Sequence, residues 1–416
     1  MDNKEPTSAD QKIVVTGIGM VTPLGIGKKE FGRRIFAGET AIREIQSFDT
    51  TAFPSHCGAE VKDFAPRDFI SVKNIRRMDR ISLLTTAAAR LALDDAGLQV
   101  TAGNRDRIGI LLGTSFGATD VTEQFARTLI TEGPHLVNPI LVPNTVMNAP
   151  AGHASIELGF RGVNTTVTHY AVSAETAIAY AVSEIRRGAA DFMLTGGVDI
   201  LSKFYYETLT RFSGLSPLDG KSEAARPFDR NRNGMVAGEG CGILCLETLR
   251  SALARGKKPY CEIKGFGQSS SPTAPAGWSR DPETVLRTLR RALQNSGIES
   301  ADISVIMAAA NGGIEPDRME ARAYTEMFAP CAQKPLITSV KGAVGESFSG
   351  GGIRACTLAL SVEEGFLPPT VGLNLPEVCG NFVLKEKKAV NIKNAVLAGI
   401  SFGGTYVYII LSCGES

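Results

Sequence analysis

Histidine is scarce in this chain. The four histidines are His56, His135, His153 and His169, and none lies between residues 170 and 416. Imidazole is the side chain that most readily gains and loses a proton near neutral pH. Any acid–base chemistry in the C-terminal half therefore has to use other groups.

The chain also lacks an excess of either charge. It has 44 Lys and Arg against 43 Asp and Glu, a formal net charge of +1, so no overall field draws it to nucleic acid or to an anionic membrane. Charges or glycines interrupt every apolar run well before about 18 residues, which predicts that no segment spans a membrane. Residues 1–11 are polar and lack the apolar core of a signal peptide, so we expect a disordered tail there.

The cysteines do not form a recognisable metal-binding or redox motif. The eight cysteines are spread widely and include no Cys-x-x-Cys pair, which argues against a zinc site. Cys241 and Cys245 share one face of a predicted strand, but their spacing is too great for a disulfide. The pattern is typical of a reduced cytoplasmic protein with small buried thiols, and it predicts no metal ion.

What the chain does have is a repeated alternation of apolar strands and helices. In the N-terminal half we predict strands at residues 13–21, 108–112, 164–170 and 192–198, with helices at 74–98, 117–130 and 174–187. After a charged break near residues 249–258 we predict strands at 261–266, 303–310, 336–340, 395–400 and 406–411, with helices at 282–293, 318–327 and 353–364. This order predicts an α/β protein with a largely parallel sheet. The two halves, residues 12–255 and 256–416, have a similar element order and suggest a duplicated fold.

Four segments, in order along the chain, resemble the β-ketoacyl synthase (ketosynthase) family. They are VTGIGMVTPLG (15–25), NTVMNAPAGHASIELGFRG (144–162), ARPFDRNRNGMVAGEGCGILCLE (225–247) and SFGGT (401–405). The resemblance runs from about residue 12 to the C-terminus. It implies the thiolase fold, in which two β-α-β-α-β-β halves pack as five α-β-α-β-α layers and the protein works as a dimer. Residues 144–162 resemble the segment that forms the dimer contact.

The resemblance also shows which catalytic groups this chain has lost. A condensing enzyme needs a thiolate at a helix N-terminus and donors that stabilise the enolate left by malonyl decarboxylation, a role that two histidines fill in the family. The cysteine position corresponds to Ala171. The first histidine corresponds to Ala309, or to Asn311 if the alignment shifts by two residues, and the second corresponds to Glu346. The family lysine remains as Lys341.

One other nucleophile lies near the lost cysteine. Ser173 and His169 stand two residues to either side of Ala171 and could imitate a Ser–His pair. No acidic third member is evident from the sequence, and a serine at the start of a helix with a histidine in a strand explains the same letters.

Loss of all three catalytic groups with retention of the fold segments indicates a changed role. Within the family, the member that has lost its cysteine is the chain length factor (ketosynthase-β subunit) of a type II polyketide synthase. Its partners would be an active ketosynthase subunit in a heterodimer and an acyl carrier protein. No cofactor is expected, because substrates arrive on the phosphopantetheine of the carrier protein. The alternatives are an enzyme of altered chemistry, such as a malonyl decarboxylase or an acyl hydrolase, and a homodimeric scaffold that binds carrier protein.

The resemblance implies three further functional groups. The helix at residues 117–130 would close the far end of the partner's tunnel, with the small residues Thr119, Thr122 and Ala126 on one face; packing of that face in the core is the alternative. The gating loop corresponds to Phe402, Gly403 and Gly404. Basic residues on a predicted helix would meet the acidic carrier protein or form a solvated surface: Lys73, Arg76 and Arg77.

Overall fold

Ten strands that run through the centre of the molecule organise the fold. A computed structural model of the chain describes residues 12–413. The strands are β1 Ile13–Thr22, β2 Ile108–Gly113, β3 Asn164–Val167, β4 Phe192–Asp199, β5 Gly240–Thr248, β6 Cys261–Ser270, β7 Ile303–Met307, β8 Leu336–Thr338, β9 Asn394–Ser401 and β10 Thr405–Ser412. The longer helices are α1 Gly27–Phe36, α2 Arg80–Ala96, α3 Thr119–Thr131, α4 Ala149–Leu158, α5 Ser173–Arg186, α6 Lys203–Arg211, α7 Pro282–Ser296, α8 Ile314–Met327 and α9 Gly351–Glu364.

The two halves repeat one strand order. The N-terminal strands lie in the order β3-β2-β4-β5-β1, and the C-terminal strands lie in the matching order β8-β7-β9-β10-β6. The two sets join where β1 pairs with β6, with Ile13 opposite Ile263 and Val15 opposite Cys261. The matching strand order confirms the duplicated fold that the sequence predicts.

Helices cover both sets of strands and fill the space between them. Helices α2 and α4 pack on the outer face of the N-terminal strands, and α7 and α8 pack on the outer face of the C-terminal strands. Helices α5 and α9 lie between the two sets of strands, and most of their residues are buried. The result is the predicted five-layer α-β-α-β-α thiolase fold.

Two predicted features of the secondary structure were wrong. The sheet is mixed, since β2 and β7 pair with parallel neighbours whereas β1, β5, β6 and β10 have antiparallel ones. One reason is that β9 and β10 form a hairpin, which must be antiparallel. The helix predicted at residues 74–98 is also broken: a single turn spans Val72–Ile75, and α2 begins after Asp79, whose carboxylate accepts the Ser82 N–H.

The Gly350–Gly352 run lets the start of α9 touch the sheet. A Cβ on Gly352 would lie 2.1 Å from the Gly242 carbonyl oxygen and 2.6 Å from the Gly197 nitrogen. A Cβ on Gly351 would lie 2.4 Å from the Glu175 carboxyl carbon of α5. The two central helices and the N-terminal sheet can therefore approach this closely only because side chains are absent.

We expect Gly352→Ala to destabilise the chain by about 1–3 kcal/mol, because the new methyl group meets backbone atoms that cannot move aside. The matched control is Gly152→Ala in α4, where a Cβ would have no neighbour within 4 Å and alanine raises helix propensity. Denaturant unfolding of both variants measures the difference. Equal stability of the two variants would contradict this account of the packing.

Candidate functional site

At the elbow before α5, where the resemblance places the nucleophile, the chain turns sharply and presents a methyl group. Tyr170 has a left-handed φ of 49°, and Ala171 follows it, buried, just before α5 begins. Left-handed backbone is unfavourable for a non-glycine residue. Here the hydroxyls of Ser115 and Ser173 donate to the Tyr170 carbonyl at 2.8 and 2.7 Å. These bonds hold the strained turn, although Ala171 has no group that can attack a thioester.

The backbone N–H of Ala171, at the same elbow, is already hydrogen-bonded to a serine side chain. The Ala171 N–H donates to Ser401 Oγ at 3.2 Å. In acyl transfer, a backbone N–H at the nucleophile helps to hold the oxyanion, and it has to be available to do so. Sequence reasoning missed this contact, because Ser401 was considered only as the first residue of the gating-loop match. The signal was its place in that motif, where the family has glycine.

The residues that the resemblance assigns to the two histidine positions border one small cavity. Ala309, Asn311, Lys341 and Glu346 line it together with Trp278, and its volume is about 10 Å³. That volume is close to the minimum that a single water molecule needs. An acyl or malonyl group has no room there in this conformation.

The buried Glu346 carboxylate lies at the centre of the residues around this cavity. We call this group, formed by Ala309, Asn311, Lys341 and Glu346, the remnant. Lys341 Nζ and Asn311 Nδ2 both lie 2.6 Å from Glu346 Oε2, and the Phe348 N–H donates to Oε1 at 2.8 Å. Ala309 and Asn311, the two alternatives for the first histidine, therefore border the same space, but only Asn311 bonds to Glu346. The Ala309 N–H donates instead to Glu320 Oε1 at 2.8 Å.

Aromatic rings occupy the space beside Ala171. Phe348 contacts the rings of Phe116 and Tyr205 edge-on, with centroids 5.6 and 5.9 Å apart, and Phe402 at 5.5 Å. Phe402 also lies 4.7 Å from Tyr170. These rings connect the elbow to the gating loop.

The segment predicted to be the gating loop, at Phe402, Gly403 and Gly404, is the turn of the β9–β10 hairpin. Gly403 and Gly404 have φ values of 73° and 77°, a conformation that suits glycine. The Gly403 N–H donates to the Gly277 carbonyl at 2.9 Å, and the Ser271 N–H donates to the Gly404 carbonyl at 2.8 Å. Trp278 packs edge-on against Phe402 at 5.9 Å. Residues 271–278 thus fix the position of this turn beside the elbow.

Ser173 and His169 do not form a catalytic pair. The Ser173 hydroxyl donates to the Tyr170 carbonyl and accepts the backbone N–H of His169 at 2.8 Å. The His169 ring instead approaches Thr176 Oγ1, with Nδ1 at 3.4 Å. Ser173 lies at the start of α5, as the structural explanation predicts, whereas His169 lies two residues beyond the end of β3 and not within a strand.

The residues proposed to close the tunnel lie largely outside the core. Within the described chain, Val121 is the only fully buried residue of α3. Thr122 is exposed, whereas Thr119 and Ala126 are half-buried. Thr119 Oγ1 lies 2.8 Å from Ser202 Oγ. The alternative that all three residues pack in the core does not fit these positions.

The three basic residues share a surface depression rather than a helix face. Lys73 belongs to the Val72–Ile75 turn. Arg76 is the C-cap residue of that turn, and Arg77 follows it. With Val72 and Ile140 they border a cavity of about 510 Å³. The predicted helix face was wrong, but the three cations remain neighbours.

The described part of the chain shows neither a metal-ligand cluster nor a membrane-spanning helix. All eight cysteines are free thiols. Between residues 12 and 413, no three His, Cys, Asp or Glu side chains come together as metal ligands. In the same range, no helix is long and apolar enough to cross a membrane.

Two buried carboxyl groups, Glu320 and Asp317, line the small cavity at Glu346, and a third, Asp199, accepts the backbone N–H groups of Ser115 and Ser349. Burial raises the pKa of Glu320 to about 7, even though Tyr324 Oη donates to it at 2.5 Å. Burial likewise raises the pKa of Asp317 and of Asp199 to about 6, against hydrogen bonds from backbone N–H groups. The fold therefore holds these groups in surroundings that disfavour their charged forms.

Glu320 should make stability depend on pH in a defined direction. The pKa of its carboxyl group is near 4.5 in the unfolded chain and near 7 in the folded chain. Its contribution to the free energy of unfolding is therefore complete below pH 4.5 and is lost as the pH rises to 7. Glu320→Gln keeps the shape but does not titrate. We expect the stability of the native chain relative to this variant to fall as pH rises from 4.5 to 7, as measured by denaturant unfolding. A constant or rising difference would contradict the assignment.

Comparison with known proteins places the chain in a family. The model of the β-ketoacyl synthase N-terminal domain matches residues 10–252, and that of the C-terminal domain matches residues 260–374. A curated relative, 3-oxoacyl-[acyl-carrier-protein] synthase 2 of Staphylococcus aureus (strain COL), is 32% identical over 98% of this chain and 100% of its own length.

Solved structures agree. The ishigamide ketosynthase/chain length factor has a TM-score of 0.90 at 29% identity, covering 97% of this chain and 99% of the other. A type II polyketide synthase acyl-carrier protein in complex with its ketosynthase gives a TM-score of 0.88 at 23% identity, with 97% and 99% covered, a likeness of fold. With the strand order and the remnant described above, these matches establish that the chain belongs to the β-ketoacyl synthase family.

Proposed function

We propose that this chain is a chain length factor, a non-catalytic subunit that pairs with an active ketosynthase and shapes the tunnel for a growing aromatic or polyene polyketide. The observation that carries the proposal is the filled remnant. Glu346 binds Lys341 and Asn311 where the two imidazoles would stand, and Ala171 occupies an otherwise intact elbow.

The partner-facing surface supports a dimeric role. Large apolar residues are exposed on and around the segment predicted for the dimer contact: Leu129, Ile130, Leu136, Ile140, Val142, Val146, Met147 and Ile156. Strand β3 lies at the edge of the sheet, with β2 as its single neighbour in the described chain. An open strand edge beside exposed apolar groups is a surface that proteins normally cover. An active ketosynthase of the same fold is the proposed cover.

The relatives support the same assignment from two directions. The curated synthases share the frame at 32% identity, so the loss of Cys, His and His stands out against an otherwise shared fold. The ishigamide structure is that of a ketosynthase/chain length factor, which agrees with a frame that serves both kinds of subunit. A decarboxylase or hydrolase would need the space and the donors that Glu346 occupies here.

Substrates in this proposal reach the complex on the phosphopantetheine of an acyl carrier protein, so the chain needs no cofactor of its own. The surface cations Lys73, Arg76 and Arg77 would meet the acidic carrier protein.

The direct test is co-expression with the cognate ketosynthase. We expect the two chains to elute together as one copy of each, with an interface of more than ~2,000 Å². Alone, this chain should form no carbon–carbon bond from acyl- and malonyl-carrier protein. A homodimer that ignores the ketosynthase would favour the scaffold alternative, and condensation by the chain alone would refute the proposal.

Helix α3 provides a test of length control. If its outer face closes the tunnel, Ala126→Phe or Thr122→Phe should shorten the product by whole two-carbon units while the heterodimer still forms. Gln124→Phe is the matched control, because Gln124 is exposed on a different face of the same helix. Mass spectrometry of the products decides the question. An unchanged length distribution in the intact mutant complexes would remove these residues from the tunnel.

A further inference from the structure

The donors around Glu346 converge on one carboxylate. Oε2 receives Lys341 Nζ and Asn311 Nδ2, and Oε1 receives the Phe348 N–H. Lys341 and Glu346 are 4% and 1% exposed. A cation, an amide and a backbone N–H that meet both oxygens form the kind of donor set that binds a free carboxylate.

This arrangement differs from the other buried carboxylates nearby. Glu320 accepts from Ala309 N–H and Tyr324 Oη, with no cation among these donors. Arg354, the cation of Glu175, also donates to the Ala308 and Ala398 carbonyls. Within residues 12–413, by contrast, Glu346 is the single partner of Lys341 Nζ. Among the described residues, Glu346 is therefore the one hydrogen-bonded counter-charge of Lys341, and Glu175 adds a longer-range electrostatic attraction.

We propose that Lys341, Asn311 and the Phe348 N–H constitute a carboxylate-binding site and that Glu346 is its built-in ligand. The side chain keeps the site filled, so a carboxylate-bearing acyl group of the malonyl class cannot settle in this subunit. The exclusion of malonyl groups rests on the proposed function; the carboxylate site itself rests on the geometry alone.

The chemistry suggests a size-matched probe. Glu346→Ala removes Cγ, Cδ and both carboxylate oxygens, and these four atoms have the composition and shape of acetate. The hole adjoins the cavity of about 10 Å³. Lys341 Nζ and the Phe348 N–H lose their hydrogen-bond partner, and Asn311 Nδ2 keeps only its contact with Met235 Sδ at 3.7 Å. Acetate should enter and restore the contacts, whereas chloride cannot meet two oxygen positions and propionate is one carbon too long.

The experiment is thermal unfolding of the full chain, alone or in its heterodimer, in sodium acetate, sodium propionate and sodium chloride of equal ionic strength. We expect the unfolding temperature of Glu346→Ala to rise with acetate and to saturate, because a ligand that binds the folded state stabilises it in proportion to its occupancy. The native chain should respond equally to all three salts. In the double variant with Lys341→Met, the advantage of acetate should disappear.

Equal responses of Glu346→Ala to acetate and chloride would overturn the proposal, as would an acetate effect that survives Lys341→Met. If Glu346→Ala does not fold, the recovery of folded protein on refolding in acetate against chloride gives the same comparison. Failure of this test leaves co-elution with the ketosynthase unaffected, and failure of co-elution leaves the acetate effect unaffected, so the two proposals can fail separately.

Discussion

The ion pair between Lys341 and Glu346 determines what the centre of this molecule can do. Removing either partner from such a buried pair leaves an uncompensated charge, which is strongly unfavourable. Because Glu346 also binds Asn311 and the Phe348 N–H, the pair fixes the segment that precedes α9. Phe348 in turn packs against Phe402 of the gating loop. Phe348 thus links the buried ion pair to the hairpin turn at Phe402.

The frame around this centre does not depend on the lost catalytic groups. Its stability comes from the repeated strand order, from the buried helices α5 and α9, and from close contacts such as Gly352 on Gly242. None of these involves a nucleophile or an imidazole. The frame can therefore stand without such groups, which suits the proposed role of a subunit that covers a partner.

The sequence predicted the fold well where local pattern decides structure. Apolar runs marked the strands, and helical spacing located α5, α7 and α9 to within a few residues. It failed at two local features and at one long-range contact. Asp79, whose carboxylate accepts the N–H of Ser82 three residues further on, begins a new helix within an apparently continuous pattern, and the tight turn at Phe402 makes neighbouring strands antiparallel. Ala171 and Glu346 could be assigned from motifs, but the Ser401 contact joins residues 230 positions apart. One serine within a glycine motif was its only signal.

If this chain is the non-catalytic subunit, only its partner takes up an acyl group, and intact-mass measurement of the heterodimer tests this most directly. The complex would be incubated with acyl-loaded carrier protein and its two chains weighed separately. We expect one acyl group per heterodimer, on the ketosynthase, and an unmodified mass for this chain. An acyl group on this chain, at any residue, in the time that loads the ketosynthase would contradict it.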